Sequence, residues 1–326
     1  MKKRILAVLI ATALAVSVTG CAGNATSSSD STSASSVAES SDTSTQTSAD
    51  ASSEDESKDE SSQEESKDLE ANYTKYTLDG DLTQHMIDMS RLNEGNKVRL
   101  ANVIKKLKNG EEVTVGFIGG SITQGTSAGN DLCYAKLTAD WLQKTYSNAK
   151  INYVNAGIGA TGSYIGVHRV ANDLLSKNPD LVFVEFSVND TTENTERNKK
   201  SYDGLLRTIW KSSTNPAIIT IATTQEDGTS FQDQHAEIVK HYDLPMISYK
   251  NTILDTIKHG DIVWKDISDD NIHPNVPGHK IVSQLLQAYI SDVDKDVDNI
   301  SGSESDFTTP ATDAPIENGS LIQPSS

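Results

Sequence analysis

Between residues 73 and 293, five short apolar runs rich in Val and Ile alternate with segments of helical periodicity. The runs lie at 113–118, 151–154, 181–186, 217–221 and 245–248, and little polar alternation breaks them. Strands buried on both faces read this way, as in a parallel sheet. Helical patterns fall near 96–108, 134–146, 163–176, 199–211, 232–241 and 278–290. The βαβα order predicts an α/β fold: a three-layer α/β/α sandwich around a central, mostly parallel five-stranded sheet. Residues 71–92 read only as a lead-in packed on the domain. In such folds ligands bind at the carboxyl ends of the strands, so chemistry is sought there.

Charge separates this domain from its ends. The 326-residue chain has a net charge of −18, divided as +3 in 1–21, −11 in 22–70, −3 over 71–290 and −7 in 291–326. A near-neutral domain offers no basic footprint for nucleic acid. Segment 22–70 has 13 acidic residues, 17 serines and only Val37 and Leu69 as large apolar side chains. It cannot bury enough surface to offset its chain entropy and is expected to be a disordered tether. Its root-mean-square reach would be roughly 35–40 Å. Residues 291–326 are expected to form a disordered acidic tail. Asp292, Asp294, Asp296 and Asp298 alternate there, but neither register supplies the Gly and closing Glu of a calcium loop.

The start, Lys2-Lys3-Arg4 followed by an apolar run and Thr19-Gly20-Cys21, has the layout of a secretory signal. Val18-Thr19-Gly20-Cys21 resembles a bacterial lipobox. The resemblance implies a lipoprotein signal peptide over 1–20, lipid on Cys21, and a protein exported to the bacterial cell surface and held at the membrane. An ordinary cleaved signal with a nearby Cys is the alternative. Cys133 is the one other cysteine and reads as a small buried apolar residue.

The first strand runs into Gly119-Gly120-Ser121-Ile122-Thr123, a turn that would project the Ser121 hydroxyl at the sheet edge; a helix cap there is the plain alternative. Near the domain's far end, Asp270-Asn271-Ile272-His273-Pro274 puts a carboxylate three residues before an imidazole in a turn, where it can fix the tautomer. Asp269 is the competing orienter, and Asn275 with Pro277 fits the cap and first turn of the last helix. His85, His168, His235, His241, His259 and His279 read as surface or structural histidines. The second and third strands end in Asn155-Ala156-Gly157-Ile158-Gly159-Ala160-Thr161-Gly162 and Ser187-Val188-Asn189-Asp190. Backbone N–H groups of the first block and the Asn189 amide are suitable oxyanion donors.

These four blocks, in this order over residues 112–290, resemble the SGNH (GDSL-type) hydrolases. The resemblance implies Ser121 as nucleophile, His273 as general base and Asp270 as its orienter. The oxyanion would be held by the Ser121 N–H, the Asn189 side chain and a backbone N–H of Gly159 or Ala160. Two departures stand out: Gly120 replaces the family's Asp beside the nucleophile, and the family's second-block Gly aligns best with Ala160. The function expected is a surface-tethered serine esterase acting without metal or cofactor, its activity rising through roughly pH 6–7 as an ordinary imidazole loses its proton. Short acyl groups, such as acetyl on polysaccharide, are the favoured substrates, and Trp264 is a residue that could stack on a sugar. Three alternatives remain: a long-chain lipase of the same family, an inactive surface binding protein, and a dinucleotide-binding oxidoreductase. The last rests on Gly157-x-Gly159-x-x-Gly162 followed by Glu185.

Overall fold

In the computed structural model, residues 73–191, 194–317 and 319–320 are described. The expected signal peptide, Cys21 and the tether lie outside them. In chain order the elements are α1 (Gln84–Ser90), β1 (Arg91–Asn93), α2 (Val98–Lys108), β2 (Glu112–Gly119), α3 (Ser121–Gln124) and α4 (Tyr134–Thr145). There follow β3 (Lys150–Gly157), α5 (Ser163–Asp173), β4 (Leu181–Glu185), α6 (Thr195–Trp210), β5 (Ala217–Ala222) and α7 (Gln232–His241). The domain closes with β6 (Met246–Ser248), α8 (Tyr249–Lys258), α9 (Trp264–Ile267) and α10 (Val276–Lys295). Short 3-10 turns occupy Leu175–Lys177 and Asn189–Thr191. Among the described residues no helix is long and apolar enough to cross a membrane.

The sheet has six strands rather than five, in the order β3-β2-β4-β5-β6-β1. The five expected strands are parallel, and β1 is an added antiparallel edge strand on β6. Only three residues long and half-buried, β1 carries no periodicity that a sequence could reveal. Side chains alternate between two cores. Leu181 and Phe183 of β4 join Leu100, Ile104, Leu142 and Leu285 from α2, α4 and α10 on one face. Val182 and Val184 join Val167, Leu205, Ile209 and Val239 from α5, α6 and α7 on the other. This two-sided burial is why the runs lack polar alternation.

β2 connects to β3 on one side, and the β3–β4 connection returns across β2 to its other side, so the strand order reverses there. Gly119, Gly157 and Glu185 pair across these three strands, so β2, β3 and β4 end at one level. The crevice above that level is the switch point of a doubly wound sheet.

The expectation of a disordered tail needs correction. Helix α10 runs to Lys295, and beyond it the chain folds back along α6 and α7. Phe307 is 5% exposed and stacks on Trp210 and Tyr242 at 4.5 and 3.9 Å. The Arg207 guanidinium donates to the Phe307 carbonyl (2.9 Å) and pairs with Glu317 (2.5 Å). Gly204 lets Ile316 approach: a Cβ there would overlap the Ile316 backbone. With Glu304 paired to Arg99, Asp313 to Lys200 and Glu317 to Arg207 and Lys211, this aromatic anchor seats a segment whose composition is that of a solvated tail.

Candidate active site

Ser121 is the first residue of α3, reached directly from β2 through Gly120, and is 8% exposed. As a helix-initial residue it has an N–H with no intrahelical partner. Gly125 ends the short helix at φ 101°, a left-handed value that suits glycine. The Ser121 Oγ lies 2.9 Å from His273 Nε2, and His273 Nδ1 lies 2.8 Å from Asp270 Oδ2. With Nδ1–H given to the carboxylate, Nε2 is left as the acceptor for the Ser121 hydroxyl proton. The two sequence blocks 149 residues apart, Ser121 and Asp270-x-x-His273, are therefore brought together.

The Asp270–His273 turn is held from several directions. Asp270 Oδ1 accepts the N–H groups of Ile272 (2.7 Å) and His273 (2.6 Å). The Ser268 hydroxyl lies 2.6 Å from the His273 carbonyl, and the indole N–H of Trp264 donates to the Asp270 carbonyl at 2.6 Å. Asn275 caps α10 through the Gly278 N–H at 3.2 Å, as its sequence suggests. Burial raises the Asp270 carboxyl, but hydrogen bonds from His273 and Ile272 outweigh it and keep the group below the ordinary carboxylate range. Asp269 does not compete: it faces the Asn275 amide at 3.4 Å. Trp264 is only 7% exposed and belongs to the core beneath the turn, so it is a support for Asp270 rather than a sugar platform.

Asn189 begins the 3-10 turn after β4, and its side-chain oxygen packs against the Cα of Gly120, where a Cβ would overlap it. With Asn189 so placed, a side chain at position 120 would displace it. The neighbouring Asp190 is buried and anchors the turn, accepting the Ser163 N–H at 2.8 Å and lying 2.9 Å from His235 Nε2. Gly159 and Ala160 differ in their partners. The Gly159 N–H is committed to Gln124 Oε1 at 3.0 Å. Among the described residues the Ala160 N–H makes no hydrogen bond, and Ala160 sits at φ 57°, lining a cleft of about 290 Å3 with Asn189, Tyr164 and Arg197.

Beneath the Ser121 turn lie buried polar groups whose packing against that turn no sequence pattern encodes. Glu185 is fully buried, 2.7 Å from Thr223 Oγ1 and 3.4 Å from Thr123 Oγ1. Burial, reinforced by Asp190, pushes its carboxyl up to about 7 despite the Thr223 and Thr123 hydroxyls. Thr123 also meets Tyr134 OH at 2.8 Å. His279 accepts the Tyr134 N–H at Nδ1 (3.1 Å) and faces the Thr126 carbonyl through Nε2, and burial pushes its pKa down to about 4. Residues expected to be quiet thus brace the turn carrying Ser121, as buried neutral hydrogen-bonding groups. Cys133 is buried beside them, as its sequence context indicates.

The dinucleotide reading fails on the same geometry. Its glycines do lie between β3 and α5, but the Gly159 N–H is committed to Gln124 and a Cβ at Gly162 would crowd Asp190. Glu185, 0% exposed, is sealed from any ribose.

The fold and site define an α/β protein that presents a hydrogen-bonded Ser–His–Asp series at the carboxyl edge of a doubly wound sheet. The chain belongs to the GDSL-like lipase/acylhydrolase family, whose model matches residues 117–281. It is 38% identical to a two-domain esterase (CEX) active on acetylated mannans, solved alone (TM-score 0.66) and with mannopentaose (TM-score 0.64). The match covers 69% of this chain and 60–61% of that esterase, so the chain spans under two thirds of its length. Axe2, an acetylxylan esterase from Geobacillus stearothermophilus, is 20% identical over 55% of this chain and 94% of its own, with a TM-score of 0.47. No curated protein matches the chain.

Proposed function

We propose that the chain is a serine esterase that removes short acyl groups, acetyl foremost, from polysaccharide. The observation that carries the reading is the Ser121–His273–Asp270 series of 2.9 and 2.8 Å contacts beside Asn189. The likeness to an esterase active on acetylated mannans supports the choice of substrate. Ser121 Oγ attacks the ester carbonyl carbon as its proton passes to His273 Nε2, forming the Oγ–C bond and a tetrahedral oxyanion. The Ser121 N–H, the Ala160 N–H and the Asn189 amide stabilise that charge. Collapse breaks the bond to the sugar oxygen, which takes the proton from His273. Water, deprotonated by the same imidazole, then releases the carboxylic acid from Ser121.

Asp270 stays ionised through the cycle, held low by its N–H donors, and so stabilises the imidazolium that forms. Lipid on Cys21 and the acidic segment 22–70 would tether this domain at the bacterial surface, within reach of glycan chains. The test is the full chain in detergent on p-nitrophenyl esters from acetate to palmitate, with Ser121→Ala alongside. Short-chain preference abolished by the substitution supports the reading; preference for palmitate makes it a lipase instead, and turnover that survives Ser121→Ala removes the nucleophile.

A further inference from the structure

Outside the loops that carry Ser121, Asn189 and His273, three metal-binding side chains converge between α1 and α8. His85 Nε2, Asp255 Oδ2 and His259 Nδ1 all lie within 4.8 Å of one another. Asp255 and His259 stand four residues apart, on α8 and at its C-terminal cap, and so share one face. His85 comes from the opposite wall, on α1, and is 3% exposed. We infer that His85, Asp255 and His259 form a binding site for a divalent transition-metal ion of the zinc class, which fastens the start of the domain to α8.

Distances carry the inference first. Asp255 Oδ2 lies 3.3 Å from His259 Nδ1 and 2.6 Å from His85 Nε2. Four-coordinate zinc with bonds of about 2.0–2.1 Å places its ligand atoms about 3.3 Å apart. One pair already has that spacing, and the other reaches it through a small opening of the His85–Asp255 contact. Chemistry carries it next. Two imidazole nitrogens with one carboxylate oxygen suit zinc, cobalt or nickel, whereas magnesium and calcium require oxygen ligands. The three donors leave a fourth position for water, and Asp255 and His259, 12% and 17% exposed, give an ion a way in.

The surroundings resemble an outer shell. The Tyr73 ring stacks on His259 with centroids 4.2 Å apart and meets His85 edge-on at 5.4 Å, fixing both ring planes. Tyr73 OH donates to Asp261 Oδ1 at 2.5 Å, and Asp261 Oδ2 accepts the Tyr76 N–H at 2.7 Å. His259 Nδ1 rests 3.0 Å from the Asp255 carbonyl and would exchange that contact for the ion. Residues 73–90 otherwise join α8 through scattered contacts such as Thr252 Oγ1 to the Met86 carbonyl at 3.1 Å, so a metal would tie this segment down.

The test uses the full chain in detergent, stripped with chelator and titrated with Zn2+ and Co2+. The expected result is one zinc per chain, a higher Tm on zinc addition, and visible cobalt bands of a four-coordinate N/O site. Asp255→Asn and His259→Gln should each lower zinc affinity about tenfold or more and erase the cobalt bands, while p-nitrophenyl acetate turnover stays unchanged. His259→Gln, at a helix end, is the variant to rely on if His85→Gln or Asp255→Asn fails to fold. Zinc held equally by wild type and all variants would place the ion elsewhere on the chain and overturn the assignment. Loss of stability in the variants with no zinc effect on the wild type would make the cluster a hydrogen-bonded clasp alone, and would overturn it equally.

Discussion

At the residue scale, the site is a small set of side chains whose neighbours decide what they do. In the proposed mechanism His273 is the base and Asp270 fixes its tautomer, in a turn held by two backbone N–H groups and Trp264. Asp270→Asn is therefore expected to lower kcat by roughly a thousandfold or more with little change in KM, in steady-state ester hydrolysis. Asn189→Ala should lower kcat about a hundredfold by removing one oxyanion donor. Gly120→Ala makes a sharper case. Its new Cβ would overlap Asn189 Oδ1, so this single methyl should reproduce the loss expected of Asn189→Ala; full activity would contradict the assigned contact. The meeting of Ser121, Asp270 and His273 was legible because each sits in a short block at a strand or helix end. The different surroundings of the Gly159 and Ala160 N–H groups were not, since they depend on Gln124, whose reach to the Gly159 N–H no local pattern encodes.

At the element scale, the strands and long helices follow the sequence closely because their periodicity reports burial directly. The misses are short or lack a boundary signal: β1 has three residues, α1 has seven, and α8 starts directly from the last residue of β6. Glu185 was hidden differently, being the one acid in an apolar strand whose position reads as a strand end. Its carboxyl, raised from 4.5 to about 7, binds a proton in the folded state that the unfolded chain has already released. The resulting stabilisation, on the order of 3 kcal/mol, is present below the unfolded value and is lost as pH rises through about 7. Glu185→Gln should remove this decline, so Tm measured from pH 5 to 8 falls in the wild type and stays flatter in the variant. His279 acts in the other direction: with its pKa pushed down to about 4, it weakens the fold as pH drops from the ordinary imidazole value toward that point. Parallel Tm profiles for wild type and Glu185→Gln would show that Glu185 is not protonated beneath the nucleophile turn.

At the scale of the whole molecule, the domain is larger than its alternating core. The lead-in from Tyr73 covers α8, and the residues after α10 cover α6 and α7. Composition assigned the latter to solvent because eight acids stand against one Lys over 291–326, yet Phe307 finds Trp210 and Tyr242, and Glu317 finds Arg207. Phe307→Ala should cost about 3 kcal/mol, as for other buried aromatics, measured by urea unfolding, while leaving kcat at low temperature unchanged. A neutral effect would return the tail to solvent.

The central claim is that Ser121, with its proton taken by His273, carries the acyl group. The most direct measurement is rapid acid quench of the full chain with p-nitrophenyl acetate, followed by peptide mass spectrometry. One acetyl group is expected on Ser121, absent from Ser121→Ala and strongly diminished in His273→Ala. Acetyl on another residue, or steady turnover by Ser121→Ala, would contradict it.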